Sequence, residues 1–310
     1  MTVSTSGAAR RRFVVIHNPA AGRRRIGKLT ALAEALQREH GAEAVIRSTA
    51  GPGDAERLAR ALSPDEGDAL IVAGGDGAIG EAINGLLDAD GRPGAWLAAG
   101  RPLGVLALGT ANVLAAELRL PEKPDALARL MIQAPARPMH LGLANGRAFS
   151  MMVGAGLDAH VVERVDRKLK RLTGKGAYVV ETLAQLLAYR GRAYEVEIDG
   201  QRRQAASVVV ANGHYYGGRF VCAPKADLFD PDLHVCLFPQ AGRWHAIRYL
   251  WGVTSGRLKH FTDYQVIRTR KAAIFGPSGE SAQGDGDVIG RLPLEVRTAD
   301  FTLPVIAGTG

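Results

Sequence analysis

The sequence predicts an α/β domain with a parallel sheet between two layers of helices, followed by an antiparallel β-rich domain. Short β-rich runs alternate with stretches of helical periodicity up to about residue 138. Beyond that point Asn-Gly and Asp-Gly pairs stand between apolar runs, which indicates β-hairpins. The length of 310 residues also accommodates about two domains.

The first predicted domain, residues 1–138, alternates strand and helix. Strands are expected at Phe13–His17, Glu43–Thr49, Ala69–Ala73 and Leu103–Leu108. Apolar residues recur at helical spacing after each strand, over about 26–36, 55–62, 79–87 and 113–118. Helical crossovers of this length join parallel strands, so we expect a parallel sheet covered on both faces.

The second predicted domain, residues 139–310, has a different pattern. Asn145-Gly146 and Asp199-Gly200 each separate two apolar runs and predict two-residue hairpin turns. Three helices are also expected, at Asp158–Leu172, Ala177–Tyr189 and Ala241–Val253. Most of this region therefore reads as antiparallel strands.

Composition restricts the compartment. No run of 18 apolar residues occurs, and the first residues lack the apolar stretch of a signal peptide. The two cysteines, Cys222 and Cys236, have no CxxC spacing, so a disulfide framework is not expected. We therefore expect a cytoplasmic protein.

The net charge of +8 suits an anionic partner: a nucleotide, a nucleic acid or a membrane surface. Solvated arginines explain the charge equally well. The chain carries no recognised nucleic-acid-binding motif, and its basic runs lack interleaved aromatic residues, so we expect no nucleic-acid partner.

One basic segment has amphipathic spacing. Its cations alternate with Val161, Val162, Val165, Leu169 and Leu172; they are Arg164, Arg167, Lys168, Lys170, Arg171 and Lys175. Such a helix suits an anionic bilayer, and a helix packed on its own domain explains the pattern almost as well. We expect peripheral contact with the inner face of the membrane. The oligomeric state is left open.

Three loops of small and polar residues follow predicted strands and open helices. They are Asn18–Gly22, Gly74–Gly80 and Leu108–Asn112. In a parallel sheet such loops lie together at the carboxyl edge, where helix N-termini attract anions. Glycine and aspartate also serve as plain turn residues. Their repetition in the same structural position favours a phosphate-binding edge.

Asp76 stands in the middle of the glycine-rich loop. The segment lacks the GxGxxG pattern after the first strand and the lysine of a GxxxxGK[ST] loop. A carboxylate beside phosphate is reasonable when a divalent cation lies between them, and Mg²⁺ takes one or two carboxylates plus phosphate oxygens. Asp76 is therefore a candidate metal ligand.

These motifs resemble those of a known family. NPAAG, GGDGAIGEAINGLL and PLGVLALGTANVLA, in this order, are similar to the catalytic domain of diacylglycerol kinases, a family that includes sphingosine and ceramide kinases. Two later segments resemble the family's second domain more loosely: ANGHYYGGRFVCAPKADLFDPDLHVCLF and GDGDVIGRLPLEV. The resemblance spans about Phe13–Arg297.

The resemblance implies a Rossmann-like nucleotide domain, a β-sandwich lipid domain, and transfer of phosphate from ATP, with Mg²⁺, to a lipid hydroxyl in the cleft between them. It assigns nucleotide contacts to Asn18, Thr49, Gly74, Gly75, Asp76, Gly77, Ala78, Ile79, Gly80 and Thr110. It makes Asp285 the general base. It gives a second, structural Mg²⁺ site to Asp230 with the backbones of Asp227 and Asp232.

Three positions depart from the family's pattern. Ala78 replaces a threonine beside the phosphates, Val113 replaces an aspartate of the magnesium network, and Asp287 replaces a glutamate. Nucleotide binding remains expected, with altered metal coordination.

The residues alone support alternatives. Asp285-Gly286 is typical of a hairpin turn, and the segment 226–232 is typical of a turn with solvated carboxylates. A lipid- or nucleotide-binding protein without catalysis, or an NAD kinase, which shares the GGDG loop, are the competing functions. Retention of Asp76 and Asp285 favours the lipid kinase.

Overall fold

A computed structural model describes residues 9–21, 26–156 and 193–308. The chain divides into two compact units. Unit 1 is Met1–His140 with Asp300–Gly310, and unit 2 is Leu141–Ala299. The predicted boundary at 138/139 lies close to the first division, but the return of the last residues to unit 1 was not foreseen.

Unit 1 has the predicted alternation of strand and helix. Its strands are β1 (Arg12–His17), β2 (Glu43–Ser48), β3 (Ala69–Gly74) and β4 (Leu103–Ala107). Its helices are α1 (Ile26–His40), α2 (Asp54–Arg60), α3 (Asp76–Gly85), α4 (Ala95–Ala98), α5 (Val113–Glu117) and α6 (Pro124–Gln133). Helices α4 and α6 differ from the predicted pattern, although Pro124 at the first turn of α6 is a helix-start signal.

The sheet of unit 1 is parallel, as predicted. β1 lies between β2 and β3, and β3 pairs with β4. The last part of a long strand, β18 (Leu294–Ile306), pairs in parallel with β4 through Val305 and Leu103. Burial on both faces explains why β1, β3 and β4 are largely apolar rather than alternating, whereas the edge strand β2 is mostly exposed.

Helices cover both faces of this sheet. Val15 and Ile71 belong to a core cluster with residues of α1 and α6, among them Leu32 and Met131. Successive strand residues point to opposite faces, so the equally buried Val14 and its neighbours face the other layer, where α2 and α3 contact each other and the sheet. Unit 1 therefore has the predicted three layers.

Unit 2 is built from antiparallel strands. They are β5 (Ala136–Ala144, which begins in unit 1), β6 (Arg147–Phe149), β7 (Met152–Ala155), β8 (Tyr194–Ile198), β9 (Gln201–Ala205), β10 (Ser207–Ala211), β11 (Tyr215–Tyr216), β12 (Phe220–Val221), β13 (Leu233–Phe238), β14 (Gln265–Thr269), β15 (Lys271–Phe275), β16 (Ser281–Gly284), β17 (Asp287–Arg291) and the first part of β18. A helix, α7 (Arg243–Thr254), follows β13 and matches the helix predicted at Ala241–Val253.

Two sheets enclose the core of unit 2. One runs in the order β14-β13-β10-β7-β16-β17, and the other includes β18-β15-β8-β9. Tyr194, Val196 and Ile274 from one sheet share a buried cluster with Val208, Val235 and others from the second. The predicted β-sandwich is therefore confirmed.

The two predicted hairpin turns are also confirmed. Asn145-Gly146 joins β5 to β6, and Asp199-Gly200 joins β8 to β9, with positive φ at all four residues. The helices predicted at Asp158–Leu172 and Ala177–Tyr189 lie outside the described residues. Within the described part of the chain, no helix is long and apolar enough to cross a membrane.

Candidate functional site

The ends of four strands meet at one edge of unit 1. In the register of the sheet, His17 pairs with both Ser48 and Ala73, and Gly74 pairs with Ala107. The residues that follow these pairs leave the sheet together. The same carboxyl edge, where ligands of open α/β sheets bind, therefore carries the predicted loops of Asn18, Gly75 and Thr110. Thr49, predicted as the end of the second strand, lies at this edge as well.

Local hydrogen bonds shape the first two loops. The Asn18 side-chain oxygen accepts a hydrogen bond from the Ala20 N–H at 2.9 Å, so this side chain builds the turn after β1. The Thr49 N–H donates to the His17 carbonyl at 2.8 Å and extends the β1–β2 pairing by one step. Thr49 is half-buried and Thr110 is exposed.

Two glycine backbones touch where the second and third loops meet. A Cβ atom on Gly109 would lie 2.5 Å from the Cα of Gly75, and a Cβ on Gly75 would lie 3.2 Å from the Cα of Gly109. A side chain at Gly109 is therefore excluded by backbone and not by a movable side chain. The close contact between the two backbones, and not an unusual backbone conformation, is the reason for glycine here. Gly75 itself has the ordinary extended angles φ −97° and ψ 178°.

Helix α3 starts immediately after this contact. Its first intrahelical hydrogen bond runs from the Ile79 N–H to the Gly75 carbonyl at 3.2 Å. The N–H groups of Asp76, Gly77 and Ala78 precede that bond and have no carbonyl within the helix to receive them. Together with the helix dipole, they make the start of α3 suited to an anion.

The predicted contact set at α3 needs one correction. The Ile79 N–H is committed to the Gly75 carbonyl, and its side chain lies in the core with 1% exposure. Ile79 therefore offers a nucleotide neither its backbone donor nor its side chain. Gly80 lies in the second turn of α3, whereas Ala78 is buried against Gly74.

Asp76 connects the two helix-opening loops. One of its carboxylate oxygens, Oδ1, accepts a hydrogen bond from the Leu114 N–H of α5 at 3.3 Å, and the residue is half-buried. Such a carboxylate beside three helix N–H groups suits a divalent cation that carries phosphate. The residues present at this edge therefore fit one Mg²⁺ ion bound together with a nucleotide. Val113, where the family has aspartate, is buried.

The sequence analysis missed Asn112 in the third loop. This residue adopts a left-handed conformation with φ 51° and donates from its side-chain amide to the Gly109 carbonyl at 2.9 Å. This hydrogen bond fixes the Gly109 carbonyl, next to the contact between Gly109 and Gly75. An asparagine three residues after Gly109 is a turn signal that could have identified it.

In unit 2, Asp285 occupies a hairpin turn. Asp285 and Gly286 have φ values of 50° and 89° and join β16 to β17. Positive φ at both positions is the geometry of a type I′ turn, which favours Asp-Gly. The turn reading of this pair is therefore correct, whether or not the carboxylate has a chemical role.

The Asp285 carboxylate receives four hydrogen bonds. Oδ2 accepts from the Ser150 N–H at 2.6 Å and the Ser150 hydroxyl at 2.8 Å. Oδ1 accepts from the N–H groups of Met151 and Met152, both at 2.9 Å. A carboxylate has about four lone-pair positions, so Asp285 fixes the start of β7 and is itself held rigidly.

Burial and hydrogen bonding act in opposite directions on Asp285. Burial disfavours the charged form and raises the pKa of this carboxyl group above its ordinary value, although the hydrogen bonds from Met152, Ser150 and Met151 partly oppose the rise. A carboxylate with a raised pKa is a stronger base. No pattern in the sequence indicates Ser150, whose hydroxyl is brought to Asp285 only by the fold.

The predicted second Mg²⁺ site at Asp227, Asp230 and Asp232 has a different organisation. Arg268 bonds both Asp230 oxygens, at 3.0 and 2.8 Å, and also pairs with Asp232. Arg270 Nε donates to Asp232 at 2.8 Å, and this bond holds the pKa of Asp232 below its ordinary value.

The remaining aspartate of this group has a local role. Asp227 accepts from the Phe229 N–H at 3.0 Å and shapes the turn. Within the described residues, no group of three or more His, Cys, Asp or Glu side chains is arranged to hold a metal ion. The Asp230 and Asp232 carboxylates are thus paired with guanidinium groups, and a Mg²⁺ ion at Asp230 would compete with Arg268 for its oxygens. The second Mg²⁺ site stays a prediction.

Known proteins are similar to this chain along nearly its whole length. The family "Diacylglycerol kinase catalytic domain" matches residues 12–144. The family "YegS C-terminal NAD kinase beta sandwich-like domain" matches residues 151–307. The two matches together cover both units.

Individual relatives agree with these matches. The diacylglycerol kinase of Bacillus subtilis (strain 168) is 32% identical over 293 residues, which is 92% of this chain and 92% of that protein. A Pseudomonas aeruginosa (strain UCBPP-PA14) protein named "Probable lipid kinase YegS-like" is 32% identical over 232 residues, 73% of this chain and 72% of that one.

A solved structure shares the fold. The crystal structure of a diacylglycerol kinase from Bacillus anthracis str. Sterne matches with a TM-score of 0.76 and 23% identity, over 97% of this chain and 98% of that one. The family matches, the relatives and the loops at the edge of unit 1 agree. The chain therefore belongs to the diacylglycerol kinase family and is a lipid kinase.

Proposed function

We propose that this lipid kinase transfers the γ-phosphoryl group of ATP to a hydroxyl group of a diacylglycerol-like lipid, a sphingoid base or a ceramide. Residues 1–138 would bind the nucleotide, and residues 139–310 the lipid. The observation that carries the proposal is the contact between Gly75 and Gly109 beside the open start of α3. Phosphoryl transfer depends on positioning and charge stabilisation, and this edge supplies both.

The triphosphate would bind at the start of α3. The N–H groups of Asp76, Gly77 and Ala78 would donate to phosphate oxygens, while Asn18, Thr49 and Thr110 lie on the neighbouring loops of the same edge. Asp76 would hold Mg²⁺ together with the phosphates. When bound, Mg²⁺ would neutralise charge on the transferring phosphoryl group.

Asp285 would act as the general base. The acceptor oxygen would form a bond to the γ-phosphorus, the bond from that phosphorus to the bridging oxygen would break, and ADP would leave. The hydroxyl proton would pass to the Asp285 carboxylate. Three of the four donors to that carboxylate are backbone groups, so the rotatable Ser150 hydroxyl is the partner that an acceptor hydroxyl would replace.

The lipid acceptor would be met at a membrane surface on the cytoplasmic side, where ATP is available. A membrane-held substrate requires the enzyme to associate with the bilayer at least transiently. The basic segment at Arg164–Lys175 was predicted for this contact, and it lies outside the described residues.

Transfer of label from γ-labelled ATP to a panel of lipids tests the proposal. The panel would contain diacylglycerol, sphingosine and ceramide in detergent, with NAD as a further acceptor. A labelled phospholipid product is expected, and it should require Mg²⁺. Product from NAD alone would replace the proposal with NAD kinase, and nucleotide binding without any product would favour a protein that binds without catalysis.

A further inference from the structure

Helix α7 presents a face that the proposed chemistry does not use. Ala246, Tyr249, Gly252 and Val253 are buried and define its inner side. Trp244 and Trp251 are seven residues apart, two helical turns, and therefore share a face. With side-chain positions advancing about 100° per residue, that face lies opposite the buried one.

Both tryptophans on this face are exposed. Trp244 has 71% and Trp251 has 49% of its surface accessible, and Phe220, on the strand β12 that contacts α7, has 41%. Large aromatic side chains are usually buried or placed at interfaces, since an exposed indole leaves apolar area in water. Isolated exposed aromatic residues are common on protein surfaces, but these three lie beside a group of basic side chains.

Cations lie over the exposed rings. The Arg243 guanidinium is 5.8 Å from the centroid of Trp244, and the Arg257 guanidinium is 5.4 Å from that of Trp251. Both distances are within the range of cation–π attraction. Lys259 follows in the next turn and is exposed. We call Trp244, Trp251, Arg243, Arg257 and Lys259 the α7 face.

The charged side chains around α7 are basic. The stretch 233–262 contains no Asp or Glu. Arg248, the other arginine of α7, is paired with Asp263 and contributes little net charge. Among the residues that the structure describes, Arg243, Arg257 and Lys259 make no ion pair. Their charge is therefore available to an anionic surface.

We propose that the α7 face docks unit 2 on an anionic lipid bilayer. Tryptophan rings favour the boundary between headgroups and acyl chains, and each nearby Lys or Arg adds attraction to anionic headgroups. The exposed indoles lie beside three cations, and residues 233–262 contain no Asp or Glu, so this face complements an anionic surface with an apolar boundary. The bilayer is therefore the occupant that fits.

This inference rests on the proposed function in one respect, namely that the acceptor is held in a membrane. None of the residues of the α7 face is assigned a role in the proposed nucleotide binding or proton transfer. Docking would bring unit 2 to the surface that contains its substrate.

Vesicle binding of the whole chain tests the docking surface without using activity. The probes are vesicles of phosphatidylcholine, with and without phosphatidylglycerol, at low and high salt. We expect binding to anionic vesicles that weakens with salt. The Trp244→Ala/Trp251→Ala variant should lose about tenfold or more in affinity. Each of Arg243→Gln, Arg257→Gln and Lys259→Gln should lose about fivefold, equivalent to about 1 kcal/mol.

Fluorescence supplies a second readout. The chain has three tryptophans, and Trp96 is buried with 1% exposure. A blue shift of emission on addition of anionic vesicles would therefore report on the α7 face, and Trp251→Phe should reduce it. Matched controls are Ile46→Ala, an exposed apolar residue of unit 1, and Arg92→Gln, an exposed arginine of unit 1; both should bind vesicles as the wild type does.

Four results would overturn the docking proposal. They are the absence of vesicle binding by the wild type, equal binding to neutral and anionic vesicles, wild-type binding by the double tryptophan variant, or a self-association that this variant abolishes while vesicle binding persists. Activity on detergent-dispersed lipid separates the two proposals. The α7 variants should keep that activity and lose activity on vesicles, whereas failure of all proteins on every lipid would contradict the proposed function alone.

Discussion

Two Asp-Gly pairs, one in each unit, differ in backbone conformation and in the hydrogen bonds that reach the carboxylate. Asp76-Gly77 opens helix α3 after an extended glycine. Asp285-Gly286 is a turn with φ values of 50° and 89° between two antiparallel strands. At Asp76 the Leu114 N–H reaches the carboxylate at 3.3 Å from the neighbouring helix. At Asp285 four donors from Ser150–Met152 converge on the carboxylate.

The same dipeptide therefore has two structural roles, according to the residues that surround it. A helix start combines a carboxylate with N–H donors that point outward, so anion and cation can bind together. A type I′ turn places the carboxylate against a neighbouring strand and holds it there. The proposed function accordingly uses the first pair for nucleotide and Mg²⁺ and the second for proton transfer.

The largest expected effect comes from Asp285→Asn. The amide is a poor base, so lipid phosphorylation should fall by about 10²–10⁴. The matched control is Asp199→Asn, because Asp199-Gly200 is also a positive-φ hairpin turn of unit 2. Initial rates of lipid phosphorylation should remain near wild type in the control. Near-normal rates in Asp285→Asn would show that Asp285 is not the general base.

The contact between the two loops of unit 1 can be broken by Gly109→Ala. The new Cβ would lie 2.5 Å from the Gly75 Cα, so the loops must separate. We expect a loss of roughly 1–3 kcal/mol in the free energy of unfolding and weaker ATP binding. Gly27→Ala is the control, because a Cβ there meets nothing within 4 Å. Thermal unfolding and ATP titration of both variants check this, and equal behaviour would contradict it.

A finer change at the second pair is Ser150→Ala. This substitution removes one hydrogen bond that opposes the rise in the Asp285 pKa, so the pKa should rise further. A base acts in its ionised form, and the acid limb of kcat/KM against pH should therefore move to higher pH. Ser150→Thr, which keeps the hydroxyl, should restore the wild-type profile. An unmoved acid limb would exclude a link between Ser150 and the base.

The smallest expected effect concerns Arg270 and Asp232. The hydrogen bond from Arg270 lowers the Asp232 pKa in the folded chain, which stabilises the fold above the ordinary carboxyl pKa and is lost as pH falls through the lowered value. Arg270→Gln should lose up to about 1 kcal/mol at neutral pH, and less in acid. Thermal unfolding against pH measures this effect.

The Mg²⁺ site predicted at Asp230 has its own test. If Mg²⁺ raises the melting temperature of the nucleotide-free wild type but not that of Asp230→Asn, the measurement would support that site.

The sequence predicted some features well because they depend on local pattern. Strand–helix alternation placed the loops of Asn18, Gly74 and Leu108 at one edge, and Asn-Gly and Asp-Gly pairs located hairpins, since both depend on neighbours in the chain. Helix α6 went unpredicted, and the return of Asp300–Gly310 to unit 1 has no local signal.

Contacts distant in sequence escaped prediction for a physical reason. Ser150 and Asp285 are 135 residues apart, and Arg268 lies 38 residues from Asp230. Nothing near either aspartate indicates its partner, because the sheets of unit 2 bring the strands together only in the folded chain. The same limit explains why the sequence did not indicate that Arg268 and Arg270 pair with Asp230 and Asp232.

The most direct test of the division between the two Asp-Gly pairs is calorimetric titration with a non-hydrolysable ATP analogue, with and without Mg²⁺. Wild type, Asp76→Asn and Asp285→Asn would be compared. The account predicts that Mg²⁺ tightens binding in wild type and in Asp285→Asn, and that Asp76→Asn loses this tightening. Undiminished tightening by Mg²⁺ in Asp76→Asn, or its loss in Asp285→Asn, would contradict the account.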